Sequence, residues 1–358
     1  MHIKQNVQLS GCKIEGYVDY GPNSLLNSVN PPPATEVLTF LTVPFEKNAR
    51  IPTSYFFVDK VTGEVQSSLI IKSLVKHHQN NIDIYMLTGD GHKANIKTFE
   101  LLGCNLDVYG DFTPYFKHPV TSNQVCCMLD PSHNIKCIRN ILATSKAGIM
   151  SPKGRISWKY FEHLHNIQNL MLANLGNKIS KQHIKYEKCI MRVKFAAEIL
   201  SSSTAKSMNL LKNLLNENEE KFNVFSGAEA TIECCEYVNS SFDILNSQNR
   251  FAQGDKEGIT IENLKILEAK KNQLISYFKS LRNCHGKFIM NTQAKTEFLG
   301  MCMALESVFL VASNILFEMH PPKIMYSYFF RQDLLNILQI MPTAPLVVEV
   351  EYDDLLEE

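Results

Sequence analysis

The 358-residue sequence has no net charge, because 36 Lys and Arg residues balance 36 Asp and Glu residues. No overall basic field therefore points to a nucleic-acid partner. The ten cysteines include no C-x-x-C pair, so neither a zinc ribbon nor a disulfide framework is indicated. The first residues also lack the apolar stretch of a secretory signal. These absences predict an intracellular protein with reduced thiols, located in the nucleus or the cytoplasm.

The composition that is present predicts a folded and mostly helical protein, with 45% hydrophobic and 20% charged residues. The longest apolar stretch, 298–317, is long enough to cross a membrane. Glu306 lies at its centre, however, and an ionisable group at mid-bilayer costs at least about 2.5 kcal/mol. We therefore expect a buried core helix here and no membrane partner.

Up to about residue 146 the pattern alternates between strands and helices. Short β-branched or apolar runs predict strands at 37–43, 54–58, 82–87 and 124–129. Apolar residues at helical spacing predict helices at 66–78 and 94–102. Gly103 closes the second of these helices. Pro131 fits the first turn of a further helix. Asp90 and Asp130 thus follow strands, at the sheet edge where open α/β folds bind ligands.

From about residue 157 the strand signals give way to helical periodicity. Helices are predicted at 158–175, 189–215, 230–245 and 261–281. The connecting segments are polar and rich in Gly and Asn, and no repeat of fixed period occurs. A last helical block is predicted at 294–317 and 325–341. The final residues form an acidic tail, which we expect to be solvated.

The run that begins at Asp130 has the pattern D-P-x-H-x-x-K-x-x-R-N and ends at Asn140. This pattern resembles the signature of the P-element and THAP-type transposases. Further similar stretches keep the family's order and roughly its spacing, at 16–21, 51–52, 55–58, 88–91 with Asn95, 102–103, 158–160, 192–201, 242–247 and 332–333. Chance matches would not keep this order, so the chain is identified as a member of this family across about residues 2–335.

The resemblance implies an RNase H-like mixed-sheet core interrupted by a large helical insertion, which combines an α/β fold with an all-α domain. It implies four segments: the first part of the core at 1–146, a guanine-nucleotide-binding insertion at 147–290, a helical return to the core at 291–340 and the acidic tail at 341–358. It also implies that the opening strand of the core lies outside the chain. Strand edges inside the sheet would then be unpaired.

Transposases of this type hold two divalent metal ions with three carboxylates, and the metals activate the attacking and leaving oxygens of phosphodiester transfer. By resemblance, the second carboxylate is Asp130 and the first lies before Met1. Asn336 stands where a helical glutamate, the third carboxylate, is expected. An amide is a weak Mg²⁺ ligand, so we expect a catalytically inactive chain in which Asp130 is the one retained ligand. His133 and Lys136 resemble positions beside that site, although a helix-surface role is the alternative.

The sequence contains no G-x-x-x-x-G-K-[ST] loop, and the family's insertion domain binds guanine nucleotide without one. The resemblance places the phosphate or sugar contacts at Lys178 and Arg192, with Val193 and Ser201 nearby, and the base contacts at Asp243, Asn246 and Asp333. A carboxylate can accept from N1–H and the 2-amino group of guanine, and an amide can bond O6 and N7. GTP is therefore the implied cofactor, with Mg²⁺ as the implied metal.

Several of these residues also have a simpler structural interpretation. Asn246 could end a helix, and Lys178 and Arg192 could be solvated surface charges. Asp19 and Asp90, the possible substitutes for missing metal ligands, fit a turn and a helix N-cap respectively.

Three functions are compatible with the sequence. The chain could be an inactive transposase-derived protein, a piece of an active DNA transposase, or a domesticated module that binds nucleotide together with DNA or a protein. DNA is the partner that the family implies. The sequence has neither the THAP zinc-finger spacing nor the family's coiled coil, so we expect weak DNA binding and a monomer or weak oligomer.

Overall fold

The computed structural model describes residues 7–10, 13–21, 24, 26–44, 50–145, 147–216, 224–249, 251–317 and 336–341. Its strands are β1 (Gln8–Ser10), β2 (Lys13–Glu15), β3 (Glu36–Pro44), β4 (Ile51–Val58), β5 (Asp83–Gly89), β6 (Tyr115–Lys117), β7 (Gln124–Leu129), β8 (Ile149–Ser151), β9 (Gly154–Ile156), β10 (Arg282–Asn283) and β11 (Asn336–Met341). Its α-helices are α1 (Gly63–Gln79), α2 (Lys93–Leu102), α3 (Pro131–Thr144), α4 (Lys159–Met171), α5 (Lys181–Ile184), α6 (Val193–Ile199), α7 (Ser202–Asn216), α8 (Glu229–Ile244), α9 (Leu264–Ser280) and α10 (Lys295–Leu316).

The largest sheet has the strand order β4-β3-β11-β5-β7-β6. β3 pairs antiparallel with β4, while β5 is parallel to β7, whose outer neighbour β6 is antiparallel. Between these halves lies β11, parallel to β3 and antiparallel to β5. Gly89 and Leu129 are register partners at the ends of β5 and β7. Asp90 and Asp130 therefore leave the sheet from neighbouring strands.

Local capping decides where the first three helices begin and end. The Thr62 hydroxyl accepts from the Val65 amide at 3.3 Å and caps α1. Gly103 closes α2 with φ at 118°, a conformation that costs glycine little. Pro131 occupies the first turn of α3, where a missing N–H is tolerated. The predictions of these helices and of strands β3, β4, β5 and β7 are confirmed.

Helix α10 lies at the centre of the hydrophobic core. It packs against β7, α3 and α9, and its fully buried side chains include Phe298, Met301, Leu305, Val308 and Ala312. Its length and composition would suit a membrane span, but most of that stretch is buried inside the fold. Glu306 forms an ion pair with the buried Lys271 at 2.9 Å. The prediction of a buried core helix is confirmed.

A small sheet joins the two ends of the helical segment that runs from α4 to α9. β8 pairs antiparallel with β9, which precedes α4, and with β10, which follows α9. The helical segment therefore leaves and rejoins the rest of the chain at one place. Sequence reasoning missed these strands, because each spans only two or three residues.

Three predictions about the fold are wrong. Residues 189–215 are not one helix, because α6 ends before Ser201, whose hydroxyl accepts from the Thr204 amide at 3.3 Å and starts α7. The described part of the predicted helix 325–341 is strand β11, whose backbone groups are satisfied by partners on both sides. The inner edges of β3 and β5 are therefore paired, not open. Residues 325–335 and the acidic tail lie outside the described residues.

Candidate nucleotide pocket and strand-end carboxylate

Asp130 lies between β7 and α3, where backbone hydrogen bonds fix its position. Its N–H donates to the Gly89 carbonyl at 2.8 Å and so ties it to β5. Its Oδ1 accepts from the Ser132 amide at 3.0 Å, and its Oδ2 accepts from the His133 amide at 3.3 Å. The residue is only 5% exposed. Asp130 is thus the N-cap of α3.

Asp90 follows β5 and organises the loop before α2. Its Oδ1 accepts from the His92 amide at 2.9 Å and from Asn95 Nδ2 at 2.7 Å. The N-cap of α2 is His92, so the predicted cap role of Asp90 is wrong: the chain needs two more residues to turn from β5 into the helix. Asp19, as predicted, is a turn carboxylate that accepts from the Gly21 amide at 2.8 Å.

These carboxylates do not assemble a metal centre. Within the described ranges, no group of three or more His, Cys, Asp or Glu side chains could hold a metal ion. Asp130 accepts from two backbone amides, and Asp90 accepts from an amide and from Asn95. Asn336 is the first residue of β11, where it is the register partner of Phe40. The residues that the structure describes therefore do not fit a two-metal site.

Two further titratable groups lie near this edge of the sheet. Burial lowers the pKa of His133, and Lys136 acts in the same direction while Asp90 opposes it. Burial raises the pKa of Glu297, in the first turn of α10. Both shifts favour the uncharged form. Sequence reasoning missed Glu297, because an acidic residue in the first turn of a helix has an ordinary explanation in the helix dipole.

A cavity of about 490 Å³ lies among α6, α7 and α8, and Ile135 of α3 contributes to its wall. We call it the helical pocket. Its volume is typical of small-molecule sites. Four residues predicted from the sequence line it, namely Lys178, Ser201, Asp243 and Asn246. The fold therefore brings together residues that are separated by up to 68 positions in the chain.

Asp243 lies in the last turn of α8 with 18% of its side chain exposed. Its Oδ2 accepts from Asn239 Nδ2 at 2.8 Å, and its Oδ1 lies 3.7 Å from Lys256 Nζ. Burial raises the pKa of Asp243, while Lys256 and the Asn239 hydrogen bond act against that shift. Asn246 lies just beyond the helix, where its N–H donates to the Asp243 carbonyl at 3.3 Å. The C-cap is Leu245, so the alternative of Asn246 as the cap is wrong.

Lys178 extends from a loop that is anchored on both sides. Asn177 Nδ2 donates to Ser207 Oγ at 2.9 Å, and Asn177 Oδ1 accepts from the Ile179 amide at 3.0 Å. The Lys178 side chain is 76% exposed, and its Nζ lies 3.5 Å from Glu198 Oε1. The loop backbone is thus fixed, while the exposed ammonium group can turn toward a ligand in the helical pocket.

Glu198 is also held by a buried histidine. His183 Nδ1 accepts from the Ser180 amide at 3.1 Å, so its other nitrogen, Nε2, carries the proton and donates to Glu198 Oε2 at 3.1 Å. Burial lowers the pKa of His183, although Glu198 opposes this shift. Glu198 is therefore a carboxylate positioned between a neutral imidazole and the Lys178 ammonium group.

The start of α7 faces the same pocket. Ser201 Oγ donates to the Glu198 carbonyl at 2.7 Å and accepts from the Thr204 amide at 3.3 Å. Ser203, in the first turn of α7, and Lys194 also line the pocket. The first turn of a helix and nearby lysines both favour an anionic ligand. This end of the helical pocket is thus chemically suited to phosphate groups.

The remaining predicted residues are not brought into the pocket lining. Arg192 precedes α6, and its guanidinium lies 5.6 Å from the centre of the Phe195 ring. Val193 packs against the hydrophobic core. Asp333 lies outside the described residues. Sequence reasoning missed Lys256, because an isolated lysine in a polar loop carries no recognisable pattern.

Two family descriptions match consecutive parts of the chain. Residues 1–103 match the TNP-like RNase H N-terminal domain, and residues 132–258 match the TNP-like GTP-binding insertion domain. The second match contains the four predicted residues that line the helical pocket. The chain thus contains a TNP-like RNase H N-terminal domain and a TNP-like GTP-binding insertion domain. The predicted family and the mixed α/β, RNase H-like fold with its helical insertion are therefore confirmed, whereas the predicted domain boundaries stay predictions.

One curated relative and one solved structure extend this assignment. The chain is 25% identical over 356 residues to the DNA transposase THAP9 of Homo sapiens, a match that covers 97% of this chain. It spans only 38% of the length of that relative. The fold matches the Drosophila P element transposase strand transfer complex with a TM-score of 0.69 and 16% identity, over 93% of this chain and 67% of that one. At this identity the structural match shows a shared fold.

Proposed function

We propose that the helical pocket of this TNP-like transposase relative binds a guanine nucleotide. The observation that carries the proposal is the convergence of Lys178, Ser201, Asp243 and Asn246 on one cavity. The match to a GTP-binding insertion domain over residues 132–258 supports the same ligand class. The pocket would hold the base at the end of α8 and the phosphates near the start of α7.

The chemistry of the base end supports guanine. The carboxylate of Asp243 can accept hydrogen bonds from N1–H and the 2-amino group, and the Asn246 amide can bond the opposite edge of the base. The ligand would take the place of Lys256, which lies 3.7 Å from Asp243 and is 64% exposed. Adenine has no N1–H and presents an acceptor there, so the carboxylate would disfavour it.

The chemistry of the other end supports phosphate. Lys178 and Lys194 supply positive charge, and Ser203 lies beside them in the first turn of α7, whereas the Ser201 hydroxyl already donates to the Glu198 carbonyl. The exposed Lys178 ammonium group pairs with Glu198 in the ligand-free protein. We propose that Lys178 moves from this carboxylate to a phosphate when the nucleotide binds, since charge-assisted bonds to phosphate are the stronger ones.

Titration of the purified chain with a fluorescent GTP analogue tests this proposal. We expect saturable binding that Asp243→Ala weakens by about 100-fold, because two charge-assisted hydrogen bonds to the base are lost. Asp111→Ala is the matched control, since Asp111 is an exposed carboxylate outside the helical pocket. Equal binding by parent and Asp243→Ala would reject the base contact that the proposal assigns.

We further propose that this chain lacks metal-dependent strand-cleavage activity and is transposase-derived. Supporting this, the described carboxylates form no metal site, and Asn336 stands where the resemblance implies a glutamate. The alternatives are a domesticated module that binds nucleotide together with DNA or a protein, and a piece of an active transposase. The relative from Homo sapiens is named a DNA transposase, so DNA is the proposed partner.

Incubation with transposon-end DNA and Mg²⁺ or Mn²⁺ separates these alternatives. We expect neither nicking nor joining, and identical results for the parent and Asp130→Ala. Cleavage that Asp130→Ala abolishes would overturn the proposed inactivity. DNA retained on a gel without cleavage would favour the binding module.

A further inference from the structure

Arg139 and Asn140 complete the D-P-x-H-x-x-K-x-x-R-N pattern, yet neither lines the helical pocket. Arg139 is fully buried on α3. Its Nη2 donates to the Ile190 carbonyl at 2.7 Å and to the Cys189 carbonyl at 3.4 Å, and its Nε donates to Asn140 Oδ1 at 2.7 Å. The guanidinium also lies 5.4 Å from the centre of the Tyr186 ring. One side chain thus joins α3 to the segment 186–190.

Both partners of this contact lead to functional positions. Helix α3 begins directly after Asp130, and its Ile135 forms part of the wall of the helical pocket. The segment 186–190 runs into α6, which contributes Lys194 and Glu198 to another wall. Arg139 therefore fastens one pocket wall to the helix that starts at the strand-end carboxylate.

The bonding around Arg139 is suited to holding a fixed geometry. Its partners are backbone carbonyls, an amide side chain and a ring face, and the planar guanidinium fixes the directions of its donors. The turn continues with a hydrogen bond from the Arg192 amide to the Cys189 carbonyl at 3.0 Å, directly before α6. Movement of the segment 186–190 relative to α3 would break the two bonds from Arg139 to the Ile190 and Cys189 carbonyls around a buried charge, which is costly.

We propose that Arg139 is a positioning residue that couples nucleotide binding in the helical pocket to the ordering of helix α3. The inference rests on the proposed function. A ligand that contacts walls from both α3 and α6 stabilises their relative placement, and Arg139 carries this effect along α3. By the reciprocity of linked equilibria, a weaker α3–α6 connection must weaken nucleotide binding.

Hydrogen exchange with mass spectrometry on the full chain, with and without GTP, tests the coupling. In the parent we expect GTP to slow amide exchange in 131–144 and in 186–192. Arg139→Lys keeps the charge but loses the fork geometry; we expect about tenfold weaker GTP binding and loss of the GTP-dependent protection of α3. Tyr186→Leu should weaken binding about threefold by removing the ring contact.

One control variant and one second test variant accompany Arg139→Lys. Thr144→Ala alters an exposed position of the same helix and should bind GTP and protect α3 as the parent does. Tyr186 is only partly buried, so Tyr186→Leu carries the test if Arg139→Lys does not fold. If Arg139 only stabilised the fold, its replacement would leave the GTP-dependent change in amide exchange of α3 unaltered.

Each outcome decides the question. Loss of α3 protection in Tyr186→Leu, in a protein that melts like the parent, supports the coupling. The coupling is overturned if Tyr186→Leu keeps the α3 protection or the GTP affinity of the parent. The proposed function still stands in that case, provided that GTP binding depends on Asp243. Absence of GTP binding in the parent rejects the proposed function itself, and the coupling falls with it.

Discussion

Replacing Asp243 with asparagine should stabilise the ligand-free protein and abolish its guanine selectivity. Burial raises the pKa of Asp243, so its charged form is less favourable in the folded than in the unfolded chain. This free-energy cost is absent below the pKa that Asp243 has in the unfolded chain. It grows as the pH rises through the raised pKa of Asp243 in the folded chain. The uncharged amide avoids this cost, so Asp243→Asn should melt above the parent at neutral pH and together with it below about pH 4.

The partner of Asp243 does not reverse this expectation. Lys256 Nζ lies 3.7 Å from the carboxylate, and the Lys256 side chain is 64% exposed. An exposed ammonium group that loses its partner is solvated by water, and such pairs contribute about 0–1 kcal/mol. Burial, which is the largest cause of the pKa shift, therefore decides the sign of the stability change.

The effect of the nucleotide can be worked out for the same pair of proteins. GTP at about 100 times its Kd stabilises the parent by about 2.7 kcal/mol. For a chain of 358 residues with an unfolding entropy of about 2.1 cal/mol/K per residue, this raises the melting temperature by about 4 °C. A 100-fold loss of affinity in Asp243→Asn would reduce the shift at the same GTP concentration to about 0.5 °C.

Thermal melts of the parent and Asp243→Asn from about pH 4 to about pH 8, with and without GTP, measure both effects. Xanthosine triphosphate is a further ligand for these melts, and we expect Asp243→Asn to gain binding of it. Its C2 carbonyl can accept from the asparagine amide at the position where guanine would present a donor. Asp111→Asn is the matched control. Melting of Asp243→Asn below the parent at neutral pH without ligand would contradict the cost of the buried charge, and retention of the full GTP shift would contradict the base contact.

Three further predictions concern the core and its thiols. Glu306→Ala leaves Lys271 buried without its partner and should lower the free energy of unfolding by about 3 kcal/mol in urea denaturation. Gly300→Ala would place a Cβ 2.6 Å from Asn134 Oδ1, where α10 meets α3, and should cost about 1–3 kcal/mol in the same assay. Burial raises the pKa of three core thiols to about 12, so among the described cysteines iodoacetamide at about pH 8 should modify the exposed Cys284 first, as read by mass spectrometry.

Matched comparisons make these three predictions decisive. Glu233 pairs with Lys153, which is 61% exposed, so Glu233→Ala should cost no more than about 1 kcal/mol. Equal costs for Glu306→Ala and Glu233→Ala would contradict the assigned role of burial. A Gly300→Ala variant as stable as the parent would contradict the tight packing of α10 on α3. Early modification of a core thiol in the folded protein would contradict its burial.

Sequence patterns predicted the elements whose causes are local. The turn residues around Gly103 and Pro131 fixed the ends of α2 and the start of α3, and the apolar runs gave β5 and β7. Strand β11 could not be predicted in this way, because its partners lie in β3 and β5, far away in the chain. The break at Ser201 was missed because the apolar spacing continues through it, while the decisive contact is a single hydroxyl capping bond.

The same distinction applies to the candidate sites. Residues that the resemblance supplied, such as Lys178 and Asp243, meet in one cavity because the helices of the insertion pack around it. Lys256 and Arg139 became interpretable only through their spatial partners, an aspartate in one case and two backbone carbonyls in the other. Residue type alone does not predict such contacts, since the same lysine or arginine occurs on any solvated surface.

Competition for a bound fluorescent GTP analogue measures whether the helical pocket selects a guanine nucleotide. The base contacts assigned to Asp243 and Asn246 predict that unlabelled GTP displaces the analogue and that ATP at the same concentration does not. Equal displacement by GTP and ATP, or displacement by neither, would contradict guanine selection by the helical pocket.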